Sequence, residues 1–172
     1  MKHNKLLIAL ALPLLVLSCK KDDNKEVMGY APIYGSEAEL HTISLTQAQA
    51  IENGGKIYVW GNTLFQVESG KGIHITDISA PASPVRKAFI KVAGSQEVAV
   101  KNGLIYTNHL NDLVILELSG STLNTIKRLP AFKHMNHQTL PPERGVFECP
   151  DKTRGTVIGW QKKMLQDPKC QY

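Results

Sequence analysis

From Lys56 onward the chain alternates apolar and polar side chains with the period of β-strands. Ile57 and Val59 form one short run, and Leu64, Phe65 and Val67 form a second. Gly61-Asn62, a turn pair, separates them, and Gly70-Lys71-Gly72 is the next turn. Ile73-His74-Ile75-Thr76-Asp77-Ile78 then alternates strictly, Pro81 and Pro84 interrupt, and Ala88 to Val92 reads as one more strand. Successive strand residues point to opposite faces of a sheet, so each run predicts a half-buried strand.

The pattern then repeats. Val59-Trp60-Gly61-Asn62-Thr63-Leu64-Phe65 is matched by Val100-Lys101-Asn102-Gly103-Leu104-Ile105-Tyr106, 41 positions on. Gly72 to Ser79 is matched by Asp112 to Ser119, 40 positions on, with an apolar–acid–apolar–Ser ending in both copies. The one-residue difference falls in a connection, where insertions are tolerated. A period of about 40 to 45 residues holding several short strands marks a propeller-type blade. The expected fold is mainly β, with short antiparallel strands in two blade-like repeats at about 56–92 and 97–132.

The flanks are less regular. Met28 to Gly35 is apolar and aromatic, and Glu37 to Ile51 mixes weak strand character with the helix formers Gln47 to Ala50. After the repeats, Gly145 to Cys149 and Thr156 to Trp160 predict a C-terminal hairpin, followed by a helical turn over Lys162 to Leu165. A stack of two repeats leaves apolar faces open, among them Ile75, Ile78, Val114 and Leu116. The N-terminal segment and the C-terminal hairpin are expected to cap those faces, giving a monomer with one domain over 28–172 and a tail over 133–172; the alternative is that several chains associate through them.

The segments GKGIHITDISAPASP and NDLVILELS resemble the LVIVD repeat of β-propeller-like proteins, many of them Bacteroidetes lipoproteins. The strands before them, KIYVWGNTLFQVESG and VAVKNGLIYTN, are similar to that family's intervening strands. The resemblance runs from Lys56 to about Phe132 and implies architecture rather than activity; it carries no functional residues over. The chain departs from the family in having two repeats, and Ser119-Gly120-Ser121 stands where a proline-rich turn is usual. Two blades cannot close a ring that needs about four to eight.

The N-terminus reads as an export signal. Lys2 and Lys5 precede an apolar run from Leu6 to Leu17, too short to span a bilayer. Val16-Leu17-Ser18-Cys19 resembles a bacterial lipobox, which implies cleavage of residues 1–18, lipidation of Cys19 and an outer-membrane address, periplasmic or surface-exposed. Residues 19–27, with Lys20-Lys21-Asp22-Asp23, form a charged tether similar to the surface-export signal of Bacteroidetes lipoproteins. The two leader lysines leave 18 of the 20 basic residues against 15 acidic ones, a mature charge near +3. That charge is spread out, so it predicts no nucleic-acid partner. The expected partners are the membrane, through the anchor, and a protein or glycan.

The chemistry-bearing residues are sparse. Cys149 and Cys170 remain after lipidation of Cys19, and export favours their pairing, worth roughly 3 kcal/mol in a loop-entropy estimate. His134 and His137 are weak metal candidates, since zinc needs three or four ligands and their second partners. His74 and His109 read as half-exposed strand residues, and Asp77 and Glu117 as one structural hydrogen bond made twice. No serine sits in a nucleophile elbow, and Gly70-Lys71-Gly72 lacks phosphate-loop spacing. Tyr58, Trp60 and Tyr106 are the candidate ligand contacts, with packing as their other use. The sequence thus predicts a membrane-anchored, non-enzymatic binding or scaffold module without a cofactor. The alternatives are a loop-assembled hydrolase or metal-dependent enzyme using His134 and His137, and a purely structural envelope protein.

Overall fold

The computed structural model describes residues 26–132 and 140–172. Cys19, the tether before residue 26, His134 and His137 lie outside them. The fold is mainly β, with three sheets among the described residues. In chain order, β1 (Glu26–Gly35), the one-turn helix α1 (Glu37–His41) and β2 (Ile43–Gln47) precede the repeats. Ser36 caps α1 in a reciprocal arrangement with Glu39, which fixes the turn between β1 and β2.

Each repeat folds as a four-stranded antiparallel meander. The first contains β3 (Gly54–Trp60), β4 (Thr63–Glu68), β5 (Gly72–Asp77) and β6 (Val85–Val92), with β2 added beside β6. The second contains β7 (Val98–Lys101), β8 (Leu104–His109), β9 (Asp112–Ser119) and β10 (Thr122–Pro130). The turns explain the tightness of these hairpins. Asn102 and Gly103 both have positive φ, as a two-residue turn matched to strand twist requires, and Asn tolerates that region better than most residues.

The two meanders pack face to face. Phe65, Val67, Ile73, Ile75, Ile90 and Val92 from the first are buried against Val98, Val100, Ile105, Val114 and Leu116 from the second. Burial of large aliphatic side chains contributes on the order of 1.5–3 kcal/mol each, so this interlayer dominates the stability of the repeats. The capping expectation holds only in part: Ile75, Val114 and Leu116 are covered mainly by the opposite meander, while Ile43 and Leu45 of the N-terminal segment pack against the same core and residues 48–51 line a groove with Ile78.

The flanks instead build a third sheet, in the order β12 (Thr156–Gln166), β1, β11 (Val146–Phe147) and β13 (Cys170–Gln171). The expected C-terminal hairpin does not form, because β1 lies between its two arms. β12 pairs antiparallel with β1 along its whole length, and β11 pairs parallel with it at Tyr30↔Phe147. The expected helical turn at Lys162–Leu165 is also strand, since β1 offers it a continuous row of backbone partners. A small core of Phe147, Val157 and Trp160 forms there, with the Phe147 and Trp160 rings edge to face at 5.5 Å. A Cys149–Cys170 disulfide, with Cα atoms 5.3 Å apart, ties β13 to the segment after β11.

Candidate functional site

The three sheets meet around Gly70. Its amide donates to Ser95 O at 2.8 Å and its carbonyl accepts from Gly94 N at 2.8 Å, joining the β4–β5 turn to the connection between the meanders. On the other side, a Cβ at Gly70 would lie 2.7 Å from Ile158 O and 2.9 Å from Gly159 Cα of β12. Gly70 also has φ +76°, so neither the space nor the backbone accepts a side chain. Asn53 Nδ2 donates to Trp160 O at 3.0 Å, a second tie from the repeats to the third sheet.

Near this junction each meander buries an ionisable residue at the end of its second strand. In the first it is Glu68. His74 Nε2 donates to Glu68 Oε2 at 2.8 Å, and the amides of Glu52 and Asn53 also donate to the carboxylate. Burial pushes the Glu68 carboxyl upward, but those hydrogen bonds outweigh it and hold the group below the ordinary glutamate value. In the second meander it is His109, whose Nδ1 accepts from Arg128 Nη1 at 2.6 Å while Arg128 also donates to Asp112. Burial, reinforced by the Arg128 charge, brings His109 down to about 4 and keeps the ring neutral. The expectation that His74 and His109 are half-exposed is therefore wrong: they are 1% and 2% exposed. Glu68 and Arg128 each supply one polar partner, and the second ring nitrogens, His74 Nδ1 and His109 Nε2, are buried without a hydrogen-bond partner among the described residues.

A groove of about 590 Å³ opens beside the junction. One wall carries Lys56 of β3 and Ser69, Gln96 and Glu97 from the meander loops; the other carries Pro141, Pro142, Trp160 and Tyr172 from the third sheet and its approach. Lys56 Nζ and Glu97 Oε1 form an ion pair across the edges of the two meanders. Asn108 positions the Gln96–Glu97 wall: its Oδ1 accepts from both amides and its Nδ2 donates to Gly94 O and Leu110 O. The hydroxyls of Ser95 and Thr107, 2.9 Å apart and both buried, brace the same loop.

The candidate ligand contacts read from the sequence do not converge. Tyr58 is half-buried, and its hydroxyl donates to Val100 O at 3.0 Å, so it staples β3 to β7. Trp60 is exposed at the end of β3, above the Asn102-Gly103 turn. Tyr106 sits on the far face of the second meander, opposite Ala99 and Ile115. Asp77 accepts from Ser79 N at 2.9 Å and lies near Lys87, whereas Glu117 is exposed; the two acids do not repeat one bond. Among the described residues no three His, Cys, Asp or Glu side chains gather as a metal site would need.

Glu68 and Asn108, which shape the junction, were not singled out from the sequence. Glu68 had a legible signal: in a β4–β5 hairpin with Glu68 opposite Gly72, His74 lies one diagonal step away. Asn108 gave none, because its value lies in a loop that only the fold brings near. Comparison with known proteins finds no matching family model, no matching curated protein and no matching solved structure.

Proposed function

We propose that the chain is an outer-membrane lipoprotein, anchored through Cys19, that acts as a non-enzymatic binding or scaffold module. The observation that carries the reading is the junction groove, with a hydrogen-bonding wall of Lys56, Gln96 and Glu97 facing a wall of Pro142 and Tyr172. A site of that kind suits a ligand with apolar faces and many hydroxyls, and a glycan chain is the class that fits.

A glycan array with the mature chain tests the ligand. Tyr172→Ala and Glu97→Ala should each weaken binding by about tenfold, a loss of roughly 1.4 kcal/mol. A protein partner captured through the same groove, with no glycan bound, would replace the glycan with a protein, and unchanged binding in both variants would remove the groove from the reading. Membrane fractionation tests the address: Cys19→Ser should leave the membrane fraction, and its retention there would sink the anchor.

A further inference from the structure

The two meanders are copies, yet they meet through opposite faces. Position by position, Phe65, Ile73 and Ile75 of the first correspond to Tyr106, Leu113 and Ile115 of the second. The first three are buried in the interlayer; the second three lie half-buried on the outward face. Conversely, Val98, Val100 and Ile105 of the second are buried, while their counterparts Ile57, Val59 and Leu64 lie on the outward face of the first. Ile57 and Val59 are 57% and 52% exposed. Strand pairing extends the match, since Ile73 pairs with Ile90 as Leu113 pairs with Leu129.

Among the described residues the chain therefore carries two outward faces that repeat, over β3–β4 of the first meander and β8–β9 of the second, the register of the faces already packed together inside it; His74, Thr76 and Phe89 on the remainder of the first are buried. The geometry points to a head-to-tail contact between copies of this chain, in which the outward face of one copy's second meander receives the outward face of the next copy's first meander. The occupant is set by continuity with the interlayer, because Ile57, Val59 and Leu64 stand at the register of Val98, Val100 and Ile105, which are already seen to fit the other face, whereas His74 and Thr76 stand where the interlayer has Val114 and Leu116. Such a contact is heterologous: it uses two different patches and so continues from copy to copy, closing into a ring if the rotation permits. The monomer expected from the sequence required the flanks to cover the repeat faces, but they do so only in part: β1 and the C-terminal strands build a separate sheet, while β2 and residues 48–51 lie against the first meander. The residue 48–51 segment lines a groove with Leu64 and Gln66 on the outward face of the first meander, so the contact centres on Ile57, Val59 and Leu64.

The interlayer also supplies the test. Tyr58 reaches Val100 there, and these correspond to Ala99 and Val59 on the open faces. Two single variants of the unlipidated mature chain in a Cys19→Ser background, Val59→Cys and Ala99→Cys, should be joined by a short bismaleimide when mixed, and neither should be joined to itself alone. Sedimentation over a concentration series should show association of the mature chain. Val59→Asp should shift its midpoint at least tenfold upward with an unchanged melting temperature, and Met164→Asp on the third sheet should leave it in place. Sedimentation as a monomer throughout the series, or cross-linking of Val59→Cys with itself, would overturn the head-to-tail contact.

Discussion

The two meanders began as the same pattern and ended with different interiors. In the second, the position after Leu113 is Val114, buried in the interlayer. In the first, the corresponding residue is His74, buried on the opposite side against Glu68 and the Phe89 ring at 4.8 Å. A strand repeat fixes which residues share a face but not which face is covered. That depends on stacking, and in a head-to-tail stack equivalent residues have opposite fates. The first meander must therefore protect an outward face that the second uses as core, and it does so partly with the 48–53 segment, held at its end by the Glu68 carboxylate.

The largest test of this difference is a matched pair of truncations. Ile73→Ala should cost about 2–5 kcal/mol, as deletion of a fully buried aliphatic side chain does, whereas its counterpart Leu113→Ala should cost about 1 kcal/mol or less. Equal losses in urea denaturation would mean that both faces are equally covered. Next in size is Glu68→Ala, which removes three hydrogen bonds to a buried carboxylate and should cost about 1–3 kcal/mol. It should also raise amide exchange at Glu52 and Asn53; unchanged exchange there would show that the loop is held by other contacts.

The acid response separates the meanders by pH. His109 falls from the ordinary 6.5 to about 4 on folding, so its neutral form is favoured in the folded state. The stability it contributes is complete above about pH 6.5 and is lost as pH falls toward 4. Glu68, held below its ordinary value, contributes stability above the glutamate range that is lost only in stronger acid. His109→Asn should flatten the pH 6.5 to 4 limb of the stability curve and leave the steeper acid limb. A curve unchanged by that substitution would place the limb elsewhere. The smallest expected effect is Val59→Asp, within about 0.5 kcal/mol for the isolated chain, against several kcal/mol for the same change at its buried counterpart Val100.

The strand content and the two repeats were legible because period-two alternation and turn pairs are local signals. Gly61-Asn62 and Asn102-Gly103 sit at the hairpin tips where the sequence puts them. The third sheet was not legible: β1 joins residues near one end of the chain to β12 near the other, and no local pattern records that pairing. Tyr58 and Trp60 were visible as aromatic strand residues, but their separation from Tyr106 follows from the choice of face. The Cys149–Cys170 pair could be read from elimination and compartment, though not the hairpin expected around it.

The pairing of β1 with β12 has a mechanical consequence. β1 enters the sheet at Glu26, paired with Gln166, and leaves it at Gly35, paired with Thr156. The grip of β12 on the repeats, at Ile158, Gly159 and Trp160, lies toward that second end. A pull on the chain before residue 26 is thus applied at one end of the ladder and resisted near the other. The strand is loaded in shear, with its backbone bonds sharing the force instead of opening one at a time. A tether leaving from Glu26 would transmit tension to the body of the protein without peeling off the strand that receives it.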